Sequence, residues 1–580
     1  QTCALPIYRL KTFRISLSVR QCKSTIKQFS AGCMNGAQLL VKLLENHGVT
    51  HIFGIPGAKI DSVFEALLES PIDLVVCRHE QNAAFMAQAV GRLTGKVGVC
   101  LVTSGPGVTN LVTGLATASA EGDPVLAIGG EVPIDDRLKH THQSLDGVSL
   151  MRPVTKYAQS ALSVHSLPEV IGNAIRAAES GRPGAVFVGL PKDVGLAEAT
   201  ADLAGGWARP ISQGPAPRSE MQRAAKLINA SRKPLLLLGL QASQIKLSEP
   251  LQRFLRQSGL PYCSTFQGPG GWVSPEQFAG RVGLFRNQPG DHLLDAADCV
   301  ITVGFDAIEY DPSLWNNGRD RPLLVIDTVP ADQDQAFLPS AELIGDLAAN
   351  LEALGPLLRV QIDTTFRRSG DAAAAELQAT LAEGARLHGT PIHPLRVIHE
   401  LRQVVTAETT LALDVGSHYI WMSRYFPAGH ARQMLVSNGQ QTLGVALPWA
   451  MAAHLCHPDQ PVIAVCGDGG FLFTAMELET AQRIGCRFVQ LIWNSCSYDM
   501  VAFQEQAHYG RSAGVQLGPY DVEALAAAFG CKGYRISEAH QLGPALRDAL
   551  QHSTPVLIDI PIDYSQNLKL MQDVHQHFIH

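Results

Sequence analysis

Short apolar runs recur along this chain and alternate with longer segments of helical spacing. Residues 462–466 (Val-Ile-Ala-Val-Cys) form one such run. Residues 488–493 form another, interrupted only by Gln490. Runs of this length, apolar on both faces, predict strands buried in a parallel sheet. The periodic segment 476–484 between them predicts a helix. The same alternation fills the first third of the chain. Residues 38–47 read as an amphipathic helix, and 51–55, 73–77, 97–103, 125–129 and 185–190 read as strands. Strand patterns return at 234–238, 299–303 and 323–326, and the last closes the chain's ordered pattern at 556–560. A Gly/Pro-rich stretch, 201–217, reads as a linker, and a polar, Ala-rich stretch leads to Pro391. The predicted fold class is therefore α/β, with three doubly wound parallel-sheet domains at 34–200, 218–360 and 392–565. Residues 566–580 are left as a C-terminal tail.

Composition changes this picture little. With 46% hydrophobic and 17% charged residues, and a mean hydropathy of +0.06, the chain is ordinary for a soluble globular protein. No apolar run approaches the roughly 18 residues of a membrane span, so no membrane partner is expected. A net charge of −7 with no basic cluster in the body excludes nucleic acid as an expected partner. The 12 cysteines are scattered without a C-x-x-C pair, and Cys77, Cys100 and Cys466 sit in apolar runs. That suits buried free thiols in a reducing compartment, so a cytoplasmic location is expected. Residues 1–33 differ: they carry six basic residues and no acidic one. Such a leader resembles a transit peptide. However, Thr2-Cys3-Ala4-Leu5-Pro6-Ile7 reads as the translation of a sequencing adapter, and Met34 is the expected start.

Candidate chemistry lies at two distant turns. Gly467-Asp468-Gly469-Gly470 joins a strand to a helix, and Asn494-Ser495 ends the next strand. A strand-turn-helix-strand unit brings both turns to the carboxyl edge of one sheet, where ligands bind. Glycines let backbone N–H groups approach phosphates, and Asp468 can hold a divalent cation that bridges them. Taken alone, such a turn is also what conformation by itself demands. The second turn, Arg78-His79-Glu80-Gln81-Asn82, follows a strand and opens a helix over 83–93. A carboxylate there also serves as a helix cap. Gly105-Pro106-Gly107 follows a neighbouring strand.

The spacing from Gly-Asp-Gly to Asn, roughly 26 residues, resembles the diphosphate-Mg²⁺ motif of thiamine diphosphate enzymes. Longer segments resemble the acetolactate synthase group of that class, and more closely its catabolic, FAD-independent members. They include Phe53-Gly54-Ile55-Pro56-Gly57-Ala58-Lys59, Arg78-His79-Glu80-Gln81-Asn82-Ala83-Ala84-Phe85-Met86, Glu309-Tyr310-Asp311-Pro312-Ser313-Leu314-Trp315-Asn316, Ser437-Asn438-Gly439-Gln440-Gln441-Thr442 and Met476-Glu477-Leu478-Glu479-Thr480. The resemblance covers the chain from Asn35 to about residue 570.

It implies a pyrimidine-binding, a central and a diphosphate-binding domain. It also implies a homodimer or homotetramer with shared active sites, the first domain of one subunit facing the third of its partner. Thiamine diphosphate and Mg²⁺ are the implied cofactors, with no FAD. Glu80 falls at the cofactor-activating acid, and Gln143 matches a glutamine near the reacting centre. Val415, Gly416, Ser417 and His418 fall at diphosphate contacts, and Leu443 where an apolar side chain props the cofactor. Gly467, Asp468, Gly469 and Gly470 hold the diphosphate and metal, and Met500 and Val501 flank the aminopyrimidine. Gln504 replaces the Trp with which biosynthetic members favour 2-ketobutyrate. Ser495 stands where the family has a second metal ligand, Asn or Asp, and the Ser497 carbonyl supplies a third. A Ser hydroxyl can bind Mg²⁺ but lacks a carboxylate's charge.

The implied reaction decarboxylates one pyruvate and joins the remaining two-carbon unit to a second. Its products are 2-acetolactate and CO₂. Two alternatives stay open. One is another 2-keto-acid decarboxylase or carboligase, although the chain has no adjacent His pair of the kind decarboxylases often carry. The other is a paralogue whose metal site Ser495 weakens.

Overall fold

The computed structural model describes residues 33–200, Gly205 and residues 211–571. Three six-stranded parallel sheets, each covered by helices, follow one another along the chain. The fold class is α/β, as the apolar runs predict. In spatial order the first sheet runs Asp73–Val76, His51–Ile55, Gly98–Val102, Val125–Glu131, Ala185–Pro191, Tyr157–Ser160. The central sheet runs Phe278–Val282, Tyr262–Thr265, Pro234–Leu238, Cys299–Val303, Leu323–Asp327, Ala341–Ile344. The third runs Met434–Leu435, Thr410–Leu413, Val462–Gly467, Val489–Asn494, Val556–Pro561, Lys532–Arg535. The inner strands are buried along their lengths, which is why they read as unbroken apolar runs.

In each sheet the chain first builds to one side of its opening strand and then returns to build on the other side. In the third sheet the point of return lies between Thr410–Leu413 and Val462–Gly467, because Met434–Leu435 was added on the far side first. The loops leaving these two strands diverge to opposite faces and open a crevice at the carboxyl edge.

The first and third domains share one core. The helix Ala446–Cys456 is apolar all round and buried from Ala446 to His454, as expected of a helix with no solvent face. It packs along Glu80–Thr94 of the first domain, and the Arg92 guanidinium lies 4.9 Å above the Trp449 ring.

Several boundaries differ from expectation. The expected leader lies outside the described residues except Cys33. Cys33–Asn35 is a short strand paired antiparallel with Glu198–Thr200, so the first domain's edge takes in the residue before Met34. The linker residues that are described, Gly205 and 211–217, form no regular element. The Ala-rich stretch is a helix, Thr364–Glu383. The expected tail also starts too late in kind: Asn567–Leu570 is a short helix, and Asn567 is 1% exposed against the third domain. Residues 572–580 lie outside the described residues. No described helix is long and apolar enough to cross a membrane. The cysteines among the described residues are unpaired.

Candidate active site

Two turns flank the third sheet's crevice. After Thr410–Leu413, Asp414 is buried and accepts the N–H groups of Val415 (2.8 Å) and Gly444 (2.9 Å). Burial pushes its carboxyl up to about 7. Gly416 follows with φ of 154°, and a Cβ there would stand 2.7 Å from the His418 ring. Only glycine therefore lets the backbone pass this imidazole. His418 is 1% exposed, and burial pushes its pKa down to about 3, so the ring is neutral. Its Nε2 has no hydrogen-bond partner.

After Val462–Gly467, Asp468, Gly469 and Gly470 open the helix Asp468–Leu472. Asp468 is 2% exposed, its pKa is raised by burial, and it accepts the Ser495 N–H at 3.3 Å. The Ser495 hydroxyl lies 3.3 Å from the Ser497 carbonyl oxygen and 3.1 Å from the Ser497 hydroxyl. Asn494 faces elsewhere: its amide donates to Asp559 (2.9 Å), and its oxygen accepts the Cys496 N–H. Thus Ser495, not Asn494, stands beside Asp468.

One cavity joins these turns. Among the third-domain candidates, 415–418, Leu443, 467–470, Ser495, Ser497, Met500 and Val501 all line it. Gln504 does not. It is half-exposed, one helical turn beyond Met500 on the helix Asp499–Tyr509. The cavity also has walls that sequence reasoning missed: Gln441, Trp493, Tyr498, Asp499 and Tyr564. Asp499 accepts hydrogen bonds from Ser417 and Asn567, and burial pushes it up to about 6. Its neighbour Met500 was legible. Asn567 was not, because it returns from the segment read as a tail.

Glu80 and Gln143 occupy the carboxyl edge of the first sheet and do not line this cavity. Glu80 is the first residue of Glu80–Thr94, but it does not cap that helix. His79 is the cap, its Nδ1 accepting the Gln81 N–H at 3.1 Å. The Glu80 carboxylate is 9% exposed and accepts the Asn110 amide at 2.8 Å. Gln143 has φ of 61°, and its side chain takes a 3.4 Å bond from Ser104. It faces Gly105, where a Cβ would stand 3.2 Å from the Gln143 Cβ.

The first domain also shapes the third-domain cavity of the same chain. Glu121, 1% exposed, accepts the N–H groups of Asn438 (2.8 Å) and Gly439 (2.9 Å). The Thr117 and Thr442 hydroxyls meet at 2.8 Å. These contacts anchor the loop that carries Gln441 and Leu443.

Comparison with known proteins decides the family. The N-terminal TPP binding domain of thiamine pyrophosphate enzymes matches residues 34–150. Their central domain matches 221–354, and their C-terminal TPP binding domain matches 414–560. The acetolactate synthase of Bacillus subtilis (strain 168) is 44% identical over 95% of this chain and 97% of its own length. The catabolic acetolactate synthase of Raoultella terrigena is 45% identical over 93% and 97%. The acetolactate synthase isozyme 2 large subunit of Escherichia coli (strain K12) is 30% identical over 92% and 97%.

The chain belongs to the acetolactate synthase family of thiamine pyrophosphate enzymes.

The residues fit the cofactor of this family. A diphosphate needs a polar lining, which the amides of the turn 467–470 supply at a helix start, and the buried His418 Nε2 has no partner. The diphosphate also needs a counter-charge, and Asp468 is a buried carboxylate on the same cavity that would hold a divalent cation against it. The half-buried Leu443 and Met500 offer apolar surface on the same cavity.

Proposed function

We propose that this chain is an acetolactate synthase that condenses two pyruvate molecules to 2-acetolactate and CO₂. The observation that carries the reading is the single cavity formed by the third-domain candidates, in a chain related over 93–95% of its length to acetolactate synthases. Thiamine diphosphate, when bound, supplies the carbon nucleophile and the electron sink for decarboxylation. His418 and the turn amides at 467–470 bind the diphosphate. Glu80 holds a proton at the ring nitrogen of the aminopyrimidine, which makes the adjacent amino group a base. Leu443, Met500 and Trp493 make the cavity apolar and exclude water. That favours carbon–carbon bond formation over protonation of the decarboxylated unit.

Mg²⁺ suits Asp468, Ser495 and Ser497. These oxygens would offer a cation hard ligands on one side, and its charge would offset that of the diphosphate. Among the described residues there is no group of three or more His, Cys, Asp or Glu able to cage a metal alone.

A shared site in a homodimer or homotetramer is supported by three features. Glu80 lies away from the cavity it would serve. The cavity encloses about 180 Å³, below the roughly 300–1,000 Å³ of complete ligand pockets. Val501 on its wall and Leu472, Phe473 and Met476 in the segment after the 467–470 turn remain 41–48% exposed, apolar surface of the kind a partner covers. FAD is not part of this reading, and a cytoplasmic location suits the unpaired cysteines.

Ser495 favours a second reading, a paralogue too weak in metal binding to turn over. Incubating the protein with pyruvate, thiamine diphosphate and Mg²⁺ separates them. Acetolactate, measured as acetoin after acid treatment, is the expected main product from a colourless protein. Acetaldehyde as main product would make it a simple decarboxylase. Absence of both turnover and calorimetric cofactor binding would favour the paralogue, and a yellow protein would reinstate a flavin.

A further inference from the structure

We infer that Glu477 of the third domain is a positioning residue for Glu80. This rests on the reading of Glu80 as the cofactor-activating acid. Glu477 is fully buried and lies outside the cofactor cavity. Its Oε1 accepts three hydrogen bonds from one short stretch of the first domain: Arg78 N–H (2.8 Å), His79 N–H (3.1 Å) and the Asn82 amide (2.9 Å). Its Oε2 accepts the Thr480 hydroxyl at 2.7 Å.

The arrangement replaces an ordinary helix-start device. In a capping box, a Glu or Gln three residues into the helix reaches back to the N–H of the cap residue. Here the cap is His79 and that third residue is Asn82, whose side chain is too short to reach back. The Glu477 oxygen sits between them and ties the His79 N–H to the Asn82 amide. It thereby holds the backbone before Glu80 and the Asn82 side chain after it at one point. Arg78 and Arg483 add outer ties, Arg78 Nε to Glu479 (2.6 Å) and Arg483 to the Val76 carbonyl.

The helix Glu477–Arg483 begins five residues after Asp468–Leu472 ends. The segment that carries one cavity's metal turn therefore also sets the angle of the acid on the first domain. A misplacement of about 1 Å at a reacting group can cost roughly 100-fold in rate, so the orientation of Glu80 has kinetic consequence.

Two substitutions separate position from charge. Glu477→Asp keeps the charge but withdraws the acceptor by one methylene. Glu477→Gln loses the charge but leaves an acceptor oxygen in place. The full chain is assayed with thiamine diphosphate, Mg²⁺ and pyruvate, and Glu80→Gln is run alongside. Expected are a fall in kcat of about 10–100-fold for Glu477→Asp and of at most about threefold for Glu477→Gln. In both, KM for pyruvate and cofactor affinity should stay near those of the parent, while Glu477→Asp also lowers Tm because it leaves buried donors unpaired. An unchanged kcat in Glu477→Asp overturns the inference. So does an equal kcat loss in Glu477→Gln, or a kcat loss matched by falling cofactor affinity, either of which would make Glu477 a structural residue only. If Glu80→Gln itself keeps more than about a tenth of kcat, the reading of Glu80 fails independently.

Discussion

The central and third sheets are both six-stranded and parallel, and both reverse their strand order beside an inner strand. They differ in what stands at the crevice. In the central sheet the reversal lies between Pro234–Leu238 and Cys299–Val303. A Cβ on Gly239 would stand 2.4 Å from the Gly304 carbonyl oxygen, so the two loops touch. The turn amides there are committed: Leu240 N–H to Glu309 (2.8 Å), Asp306 N–H to Glu309 (3.1 Å) and Gln241 N–H to the Gly304 carbonyl (3.0 Å). The cavity beyond them is walled by Asp306, Glu309, Asp327 and Asp332, and its Arg182 is paired with Asp306. In the third sheet the turns keep a polar atom in reserve, His418 Nε2, and present the buried carboxylate of Asp468 to the cavity, where a cation can sit. Strand order makes a crevice in both places. The carboxylates around the central crevice would repel a diphosphate, whereas the third crevice offers the turn amides at 467–470 and, in Asp468, a place for a counter-ion.

The most severe test of this comparison exchanges one carboxylate in each crevice for its amide. Asp468→Asn should lower thiamine diphosphate- and Mg²⁺-dependent turnover by at least about 100-fold, because metal affinity falls with the lost ligand charge. Glu309→Gln should leave kcat within about twofold. Equal losses in steady-state assays would mean that the central crevice takes part in the reaction.

Ser495→Asp should tighten Mg²⁺ binding by roughly 10–100-fold, since a carboxylate offsets the cation's charge better than a hydroxyl. Asn494→Ala should change it little, because that amide is engaged with Asp559. Titrating Mg²⁺ at saturating thiamine diphosphate reads both. A large loss in Asn494→Ala without tightening in Ser495→Asp would make Asn494 the ligand.

The central crevice should reveal itself in stability rather than activity. Burial raises Glu309 from 4.5 to about 8, so the folded state holds a proton that the unfolded chain releases. This contribution is fully present below pH 4.5 and is lost as pH rises through about 8. The slope is at most about 1.4 kcal/mol per pH unit. Denaturation midpoints between pH 5 and 8 should flatten in Glu309→Gln, and an unaltered slope would place that proton elsewhere.

The smallest effect belongs to Gln504→Trp. Gln504 stands a turn beyond Met500 and off the cavity. An indole there should shift the choice toward 2-ketobutyrate over pyruvate as acceptor by about 1 kcal/mol, the low end for one methylene. An unchanged product ratio in a competition assay would remove Gln504 from the acceptor's surroundings.

Much of the third crevice was legible. The runs at 462–466 and 488–493 are apolar on both faces because their strands are buried on both faces. Their ends therefore locate the carboxyl edge, and the count from Asp468 reaches Ser495, which does stand beside it. Edge strands were harder. Lys532–Arg535 and Tyr157–Ser160 are short and partly exposed, and Met434–Leu435 has only two residues, so none carries a strong period. The helix Thr364–Glu383 buries only Phe366, Ala373 and Leu381, too sparse a stripe to read.

What the sequence determined by itself is local: which segments are strands, where the glycine turns fall and which acids stand in them. Periodicity and turn chemistry act over a few residues, so they can be read in order. Only the tertiary structure decided that Asn567 returns to Asp499, that Glu121 anchors the loop of Leu443 and that Glu477 holds the start of the Glu80 helix. Each of those polar groups takes its role from a partner distant in the chain. Burial makes the pairing obligatory, because an unpaired buried donor or acceptor costs about 1–3 kcal/mol, and which groups are buried together follows from how the domains pack.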